Sequence, residues 1–178
     1  DQIKMEKERT TPDPAHVDEL LVQIKAAEGG MGATGPLGQL SRIAVVESKR
    51  DDVLRVMKNH MSNSNDFVRK AATEVFCAYA TAEDLVELRK LLADRDALSI
   101  EGRKKACQTV ASVGTAADYP LLIGLVNDPF VRADVRNILI GIGPAIEEPI
   151  LKQIDSISDS WARTELLEVL KKVGTKLS

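Results

Sequence analysis

The stretch VRKAATEVFCAYATAED, Val68 to Asp84, recurs down this 178-residue chain. It lies over GRKKACQTVASVGTAAD (Gly102 to Asp118), then VRADVRNILIGIGPAIE (Val131 to Glu147), then ARTELLEVLKKVGT (Ala162 to Thr175), at offsets of 34, 29 and 31 residues. Repeats of such a period restrict the fold sharply. Each copy is one supersecondary unit that cannot bury its apolar face alone, so neighbouring copies must stack to make a core.

The aligned columns separate by chemistry. Ala72, Ala106, Val135 and Leu166 form one apolar column, Phe76, Val110, Leu139 and Leu170 a second, and Tyr79, Val113, Ile142 and Val173 a third. Within a copy these fall at i, i+4 and i+7, with Val75, Thr109, Ile138 or Val169 at i+3, the stripe of a helix buried on one face. Ala80, Gly114, Gly143 and Gly174 then mark a break, followed by Thr81, Thr115, Pro144 and Thr175. Glycine there predicts a left-handed helix end, and Thr or Pro the cap or first turn of another helix. Asp84, Asp118 and Glu147 follow three residues later, where a carboxylate favours a helix N-terminus.

Second helices are predicted in EDLVELRKLLAD, ADYPLLIGLVND and EEPILKQID, with Leu88, Leu122 and Leu151 in register. Pro120 and Pro149 suit first-turn positions, where a missing N–H is cheapest. A fainter copy, IAVVESKRDDVLRVMKNHM, precedes these at an offset of 32, with Ser48 and Lys49 at its break. PAHVDELLVQIKAA reads as a leading helix capped by Asp13 with Pro14 at its first position. The expected organisation is a charged linker over 1–12, the leading helix over 13–28, a Gly-rich loop over 29–36 and a repeat array over 37–178. That makes about ten helices, and no stretch alternates with the period of two that a strand needs, so the fold class is all-α.

Lys and Arg total 24 against 27 Asp and Glu, a formal net charge of -3, so no global field pulls the chain toward nucleic acid or anionic lipid. Apolar runs such as LLIGLV stay far short of the about 20 residues that a spanning helix needs. The chain is expected to be soluble, with the cytoplasm favoured although its two distant cysteines do not fix the compartment. It opens DQIK without Met, which reads as a processed chain or a piece of a longer, bacterial protein.

Arg69, Arg103, Arg132 and Arg163 form a column, preceded by Asp66, Asp128 and Asp159 in three of the copies. A structural ladder of Asp-Arg ties, each Asp also capping its helix, is favoured over a phosphate-binding ladder, although Lys70, Lys104, Lys105 and Arg136 add cations. Gly30-x-Gly32-x-x-Gly35 matches a dinucleotide fingerprint but follows a helix and not a strand. Cys77 and Cys107 read as small buried filler, with Lys104 and Lys105 leaving Cys107 open to a reactive role. Phe67, Phe130 and Trp161 each stand at the start of a copy, positions expected to seal helix ends.

An apolar-Arg pair opening one helix, small apolar residues along its stripe, Gly-Thr or Gly-Pro at the turn and Pro-Leu-Leu or Pro-Ile-Leu in the next helix resemble HEAT repeats, most closely the short HEAT-like repeats of phycobilisome bilin lyases. The resemblance runs from about Leu37 to the C-terminus. It implies a right-handed α-solenoid, an armadillo-like superhelix whose Arg-bearing helices line a concave face, and a non-enzymatic scaffold that binds a protein or peptide there. On that likeness Lys70, Glu74, Lys104, Gln108, Asn137, Thr164 and Glu168 are the expected partner-binding residues, and charge changes at Lys104 or Glu74 weaken a partner without unfolding the array. No cofactor or metal is implied: His16 and His60 lack the neighbouring Glu of iron-binding HEAT enzymes. The alternative is a lyase-like or glycosylase-like enzyme holding a tetrapyrrole or nucleic acid in the groove; self-association is a further possibility. The chain departs from a full array in stopping, at KKVGTKLS, before the second helix of its last copy.

Overall fold

The computed structural model describes residues 13–94 and 96–175, so the linker expected over 1–12 lies outside the described residues. The described residues are all-helical, with no strand among them. They form two compact units, 13–80 with 96–102, and 81–94 with 103–175.

The first unit contains α1 (Pro14–Ala26), α2 (Thr34–Leu40), α3 (Arg50–His60) and α4 (Asp66–Tyr79). Asp13 caps α1 as expected, accepting from the Ala15 N–H at 2.9 Å, and the helix buries Val17, Leu20, Leu21 and Ile24. The segment 29–36 is not the loop its glycines predict. Only the turn through Glu28 and Gly29, both left-handed, is irregular; Met31–Ala33 is a 3-10 turn that leads directly into α2. Ala33, Leu37 and Leu40 are all buried, and that apolar contact outweighs the roughly 1 kcal/mol by which each helical glycine disfavours the element. Gly29 is needed for space as well as conformation: a Cβ would stand 2.6 Å from Asn63 Nδ2, which donates to the Gly29 carbonyl. α4 is capped by Asn65 and not by Asp66, the Asn65 Oδ1 accepting from the Phe67 and Val68 N–H groups.

The second unit contains α5 (Leu85–Ala93), most of α6 (Ile100–Val113), α7 (Tyr119–Gly124), α8 (Arg132–Ile142), α9 (Glu147–Gln153) and α10 (Ser160–Val173). Thr81 with Asp84, and Thr115 with Asp118, form reciprocal capping boxes, which is what the Thr and acid columns encode. The third copy uses its acid differently. Pro144 has no N–H to offer, and Glu147, buried, instead accepts from the Thr175 N–H at 3.0 Å and hydroxyl at 2.8 Å, so α9 binds the turn after α10.

The break glycines are mostly not left-handed. Only Gly143 has positive φ, at 78°, whereas Ala80 and Gly174 sit at -58° and -63°. Gly114 is needed for space, since a Cβ would lie 2.4 Å from the Val110 carbonyl oxygen and 2.8 Å from Asp118 Oδ2. One register also slips. Leu88 and Leu122 are fully buried, but Leu151 is 38% exposed and Ile150 takes the buried place. The turn before α9 is a four-residue 3-10 turn, Gly143–Ile146, while its counterpart before α7 has three residues; the tighter winding brings Ile146 and Ile150 inward.

Arg89 holds Asp118 through a fork, Nε to Oδ1 at 2.6 Å and Nη2 to Oδ2 at 3.1 Å. This guanidinium, ahead of the Thr115 N–H, keeps the Asp118 carboxyl below its ordinary range. A depressed folded pKa contributes stability above the unfolded value, near pH 4, and loses it as pH falls through the folded one. We expect Asp118→Asn to lower the melting temperature at pH 7 and to narrow its gap to wild type below about pH 4; a gap unchanged from pH 7 to pH 3 would contradict the assignment.

Candidate functional site: an aromatic and amide face on the second unit

The arginine column builds the frame. The Arg103 guanidinium meets Asp128 in a buried pair, and Lys104 reaches Asp134 at 3.5 Å. One repeat on, Arg132 donates to the Val126 carbonyl at 2.7 Å and pairs with Asp159 at 3.2 Å, while Arg136 pairs with Glu165 at 2.9 Å. Asp159 also caps α10 through the Ala162 N–H at 2.7 Å. Arg69 and Arg163 do not make this forward tie. Arg69 bonds Asp66 and the Asn63 carbonyl, and Arg163 bonds the Ile157 and Asp155 carbonyls. The aspartate that Arg69 would need is replaced by Ser99, which accepts from the Gly102 N–H at 2.9 Å and donates to Glu74 at 2.8 Å.

Several expected partner-binding residues are therefore engaged internally. Glu74 supports the start of α6 through Ser99, Lys70 lies 3.2 Å from Asp66, and Lys104 meets Asp134. Charge changes at Glu74 or Lys104 are thus expected to touch stability as well as any partner. Thr164 is exposed, with its hydroxyl donating to the Ser160 carbonyl at 2.9 Å. Gln108, Asn137 and Glu168 project from α6, α8 and α10 as exposed residues of the second unit, whereas Lys70 and Glu74 belong to the first.

Two residues missed as site candidates join that row. Phe130 is 65% exposed and Trp161 72% exposed; they seal nothing. The plugs are their neighbours Val131 and Ala162, both fully buried. One residue earlier on a helix lies about 100° away, enough to turn an aromatic from core to solvent. Trp161 stands seven residues before Glu168 on α10 and shares its face two turns away, whereas Phe130 lies in the turn that leads into α8. Phe67, 70% exposed, has the same place in the first unit.

Cys77 and Cys107 are both buried, matching the filler reading. Burial pushes the Cys107 thiol up to about 12, against the partly opposing pull of Arg103. We expect Cys107 to resist a thiol-exchange reagent at pH 8 until the protein unfolds; labelling of the native state within seconds would show a reactive thiolate. His16 lies 3.6 Å from Glu19 and His60 Nδ1 lies 2.9 Å from the Val56 carbonyl. Among the described residues no three His, Cys, Asp or Glu side chains are grouped to hold a metal ion, and no helix is long and apolar enough to cross a membrane. The glycine fingerprint runs from a turn into α2, after α1, without the strand that dinucleotide binding requires.

No family model matches the chain, and no curated protein or solved structure matches it.

Proposed function

We propose that this chain is a polypeptide-binding scaffold, in which HEAT-like hairpins of the second unit stack as a short right-handed α-solenoid and present the α6, α8 and α10 face to a segment of another protein. The observation that carries the reading is the exposure of Phe130, in the turn ahead of α8, and of Trp161, in the first turn of α10, at equivalent places in two repeats whose helices pack together. Aromatic side chains dominate binding energy at protein interfaces, and leaving two of them in water is otherwise unfavourable. Gln108 and Asn137, exposed farther along α6 and α8, add amide donors and acceptors. The repeat columns support the HEAT-like reading, since Ala72, Ala106, Val135 and Leu166, and Phe76, Val110, Leu139 and Leu170, are all buried. A polypeptide suits the face better than nucleic acid, because Lys104, Arg132 and Arg136 are each paired with a carboxylate.

Selection from an unbiased displayed-peptide library tests this. Peptides recovered on wild type are expected to lose about tenfold in affinity on Phe130→Ala or Asn137→Ala, solvent-exposed changes that leave the melting temperature in place. Equal binding to a Phe130→Ala, Trp161→Ala double variant would remove this face from the function.

A further inference from the structure

Two joints of the second unit share one design. Between α6 and the turn ahead of α8, the Arg103 guanidinium donates to Asp128 Oδ2, while Asp128 Oδ1 accepts from the Phe130 N–H at 3.0 Å. Between α8 and α10, Arg132 Nη2 donates to Asp159 Oδ2 at 3.2 Å, and Asp159 Oδ1 caps α10 through the Ala162 N–H at 2.7 Å. A second tie falls six residues after each aspartate, where Asp134 takes Lys104 and Glu165 takes Arg136. Each joint thus has an outgoing half, an arginine near the start of one helix. Its incoming half is an aspartate ahead of the next helix with an acid six residues on.

Both halves recur without each other. On α10 the Arg163 Nε donates to the Ile157 carbonyl six residues back, as the Arg132 Nε does to Val126. The Nη2 that Arg132 sends forward to an aspartate is turned back on Arg163, to the Asp155 carbonyl at 3.3 Å, and Arg163 is exposed where Arg103 is buried. On α1 the Asp13 Oδ1 accepts from the N–H two residues on, Ala15 at 2.9 Å, as Asp128 does from Phe130, and Glu19 stands six residues later. Asp13 and Glu19 are exposed, Glu19 lying 3.6 Å from His16. The charges are complementary, since exposed Lys171 shares a helix face with Arg163 two turns away. Leu167, between them on that face, stands where Arg136 does in the preceding copy, and Val22 stands one turn beyond Glu19; both are exposed, and contact would take both from water. We infer that a second copy of this chain docks here, Arg163 of one copy taking Asp13 of the next and Leu167 packing on Val22, as α10 follows α8 within the chain. Such a contact is head-to-tail, so it continues from copy to copy unless a ring closes.

Sedimentation equilibrium of the whole chain over a concentration series tests this. At low salt the weight-average mass is expected to rise with concentration above the 19.4 kDa of one copy, and to fall back at high salt as the exposed pair is screened. Asp13→Asn, which keeps an acceptor to cap α1 but not its charge, should weaken association about threefold, and Leu167→Ala by at least as much. Arg163→Asp and Asp13→Arg should each remain monomeric, because like charges then meet. Mixed in equal amounts they should associate again, as each variant supplies the charge that the other lacks. Phe130→Ala, which removes peptide binding on the reading above, should leave association unchanged, so the two proposals fail separately. A monomer across the series, association indifferent to salt and to Asp13→Asn, or folded charge variants that stay apart on mixing overturns the inference. Loss of association on Phe130→Ala would place the second copy on the aromatic face and overturn it as well.

Discussion

Replacing Asp128 by alanine is expected to destabilise the second unit by about 3–5 kcal/mol, read from urea unfolding. Asp128 and Arg103 are 5% and 8% exposed, so the substitution takes a carboxylate partner from a guanidinium with little access to water. The same carboxylate accepts from the Phe130 N–H at 3.0 Å, and that donor loses its partner too. Part of the loss comes from removing one charge of a buried pair, and replacing both charges should return that part: Arg103→Met with Asp128→Leu is expected to be more stable than Asp128→Ala. Asp66→Ala supplies the contrast. Its pair with Arg69 has side chains 52% and 40% exposed, and such pairs contribute about 0–1 kcal/mol. Should Asp128→Ala and Asp66→Ala cost the same, the buried tie between α6 and α8 would not be a principal support of the unit. Because Asp128 also fixes the backbone at Phe130, Asp128→Ala should weaken peptide binding even at temperatures where the unit remains folded.

The apolar columns were legible because burial repeats. A residue such as Val135 is ambiguous alone, but Ala72, Ala106 and Leu166 hold the same place in the other copies of the sequence, and all four are buried. The Thr and acid columns were legible for a similar reason, as a capping box is local and spans only four residues. What the sequence did not disclose depends on rotation or on a partner from another repeat. Phe130 and Trp161 are one residue from buried positions, and one residue separates core from solvent on a helix. Glu147 carries the same chemistry as Asp118 but finds Thr175, because Pro144 cannot donate to it. Glu74 belongs by column with exposed Gln108, Asn137 and Glu168, yet Ser99 engages it. The glycines of 29–36 predicted a loop because propensity was counted without the burial of Leu37 and Leu40.

Leu139→Ala is expected to cost about 2–5 kcal/mol, through lost transfer energy and the cavity left in a close-packed core. Leu139 is fully buried in α8, in the same column as Phe76, Val110 and Leu170. At roughly 2–4 °C per kcal/mol for a chain of this size, the melting temperature should fall by about 4–20 °C. Leu167, at the position of Arg136 one repeat on, is 56% exposed and fills no core, so Leu167→Ala should change stability by no more than about 0.5 kcal/mol. The pair on α9 tests the slipped register with the same chemistry. Ile150→Ala should cost about as much as Leu139→Ala because Ile150 is fully buried, whereas Leu151→Ala should cost much less. Periodicity assigns the larger loss to Leu151; the four-residue turn at Gly143–Ile146 assigns it to Ile150. A larger loss at Leu151 would mean that α9 keeps the register of α7, with Ile150 and not Leu151 turned to solvent.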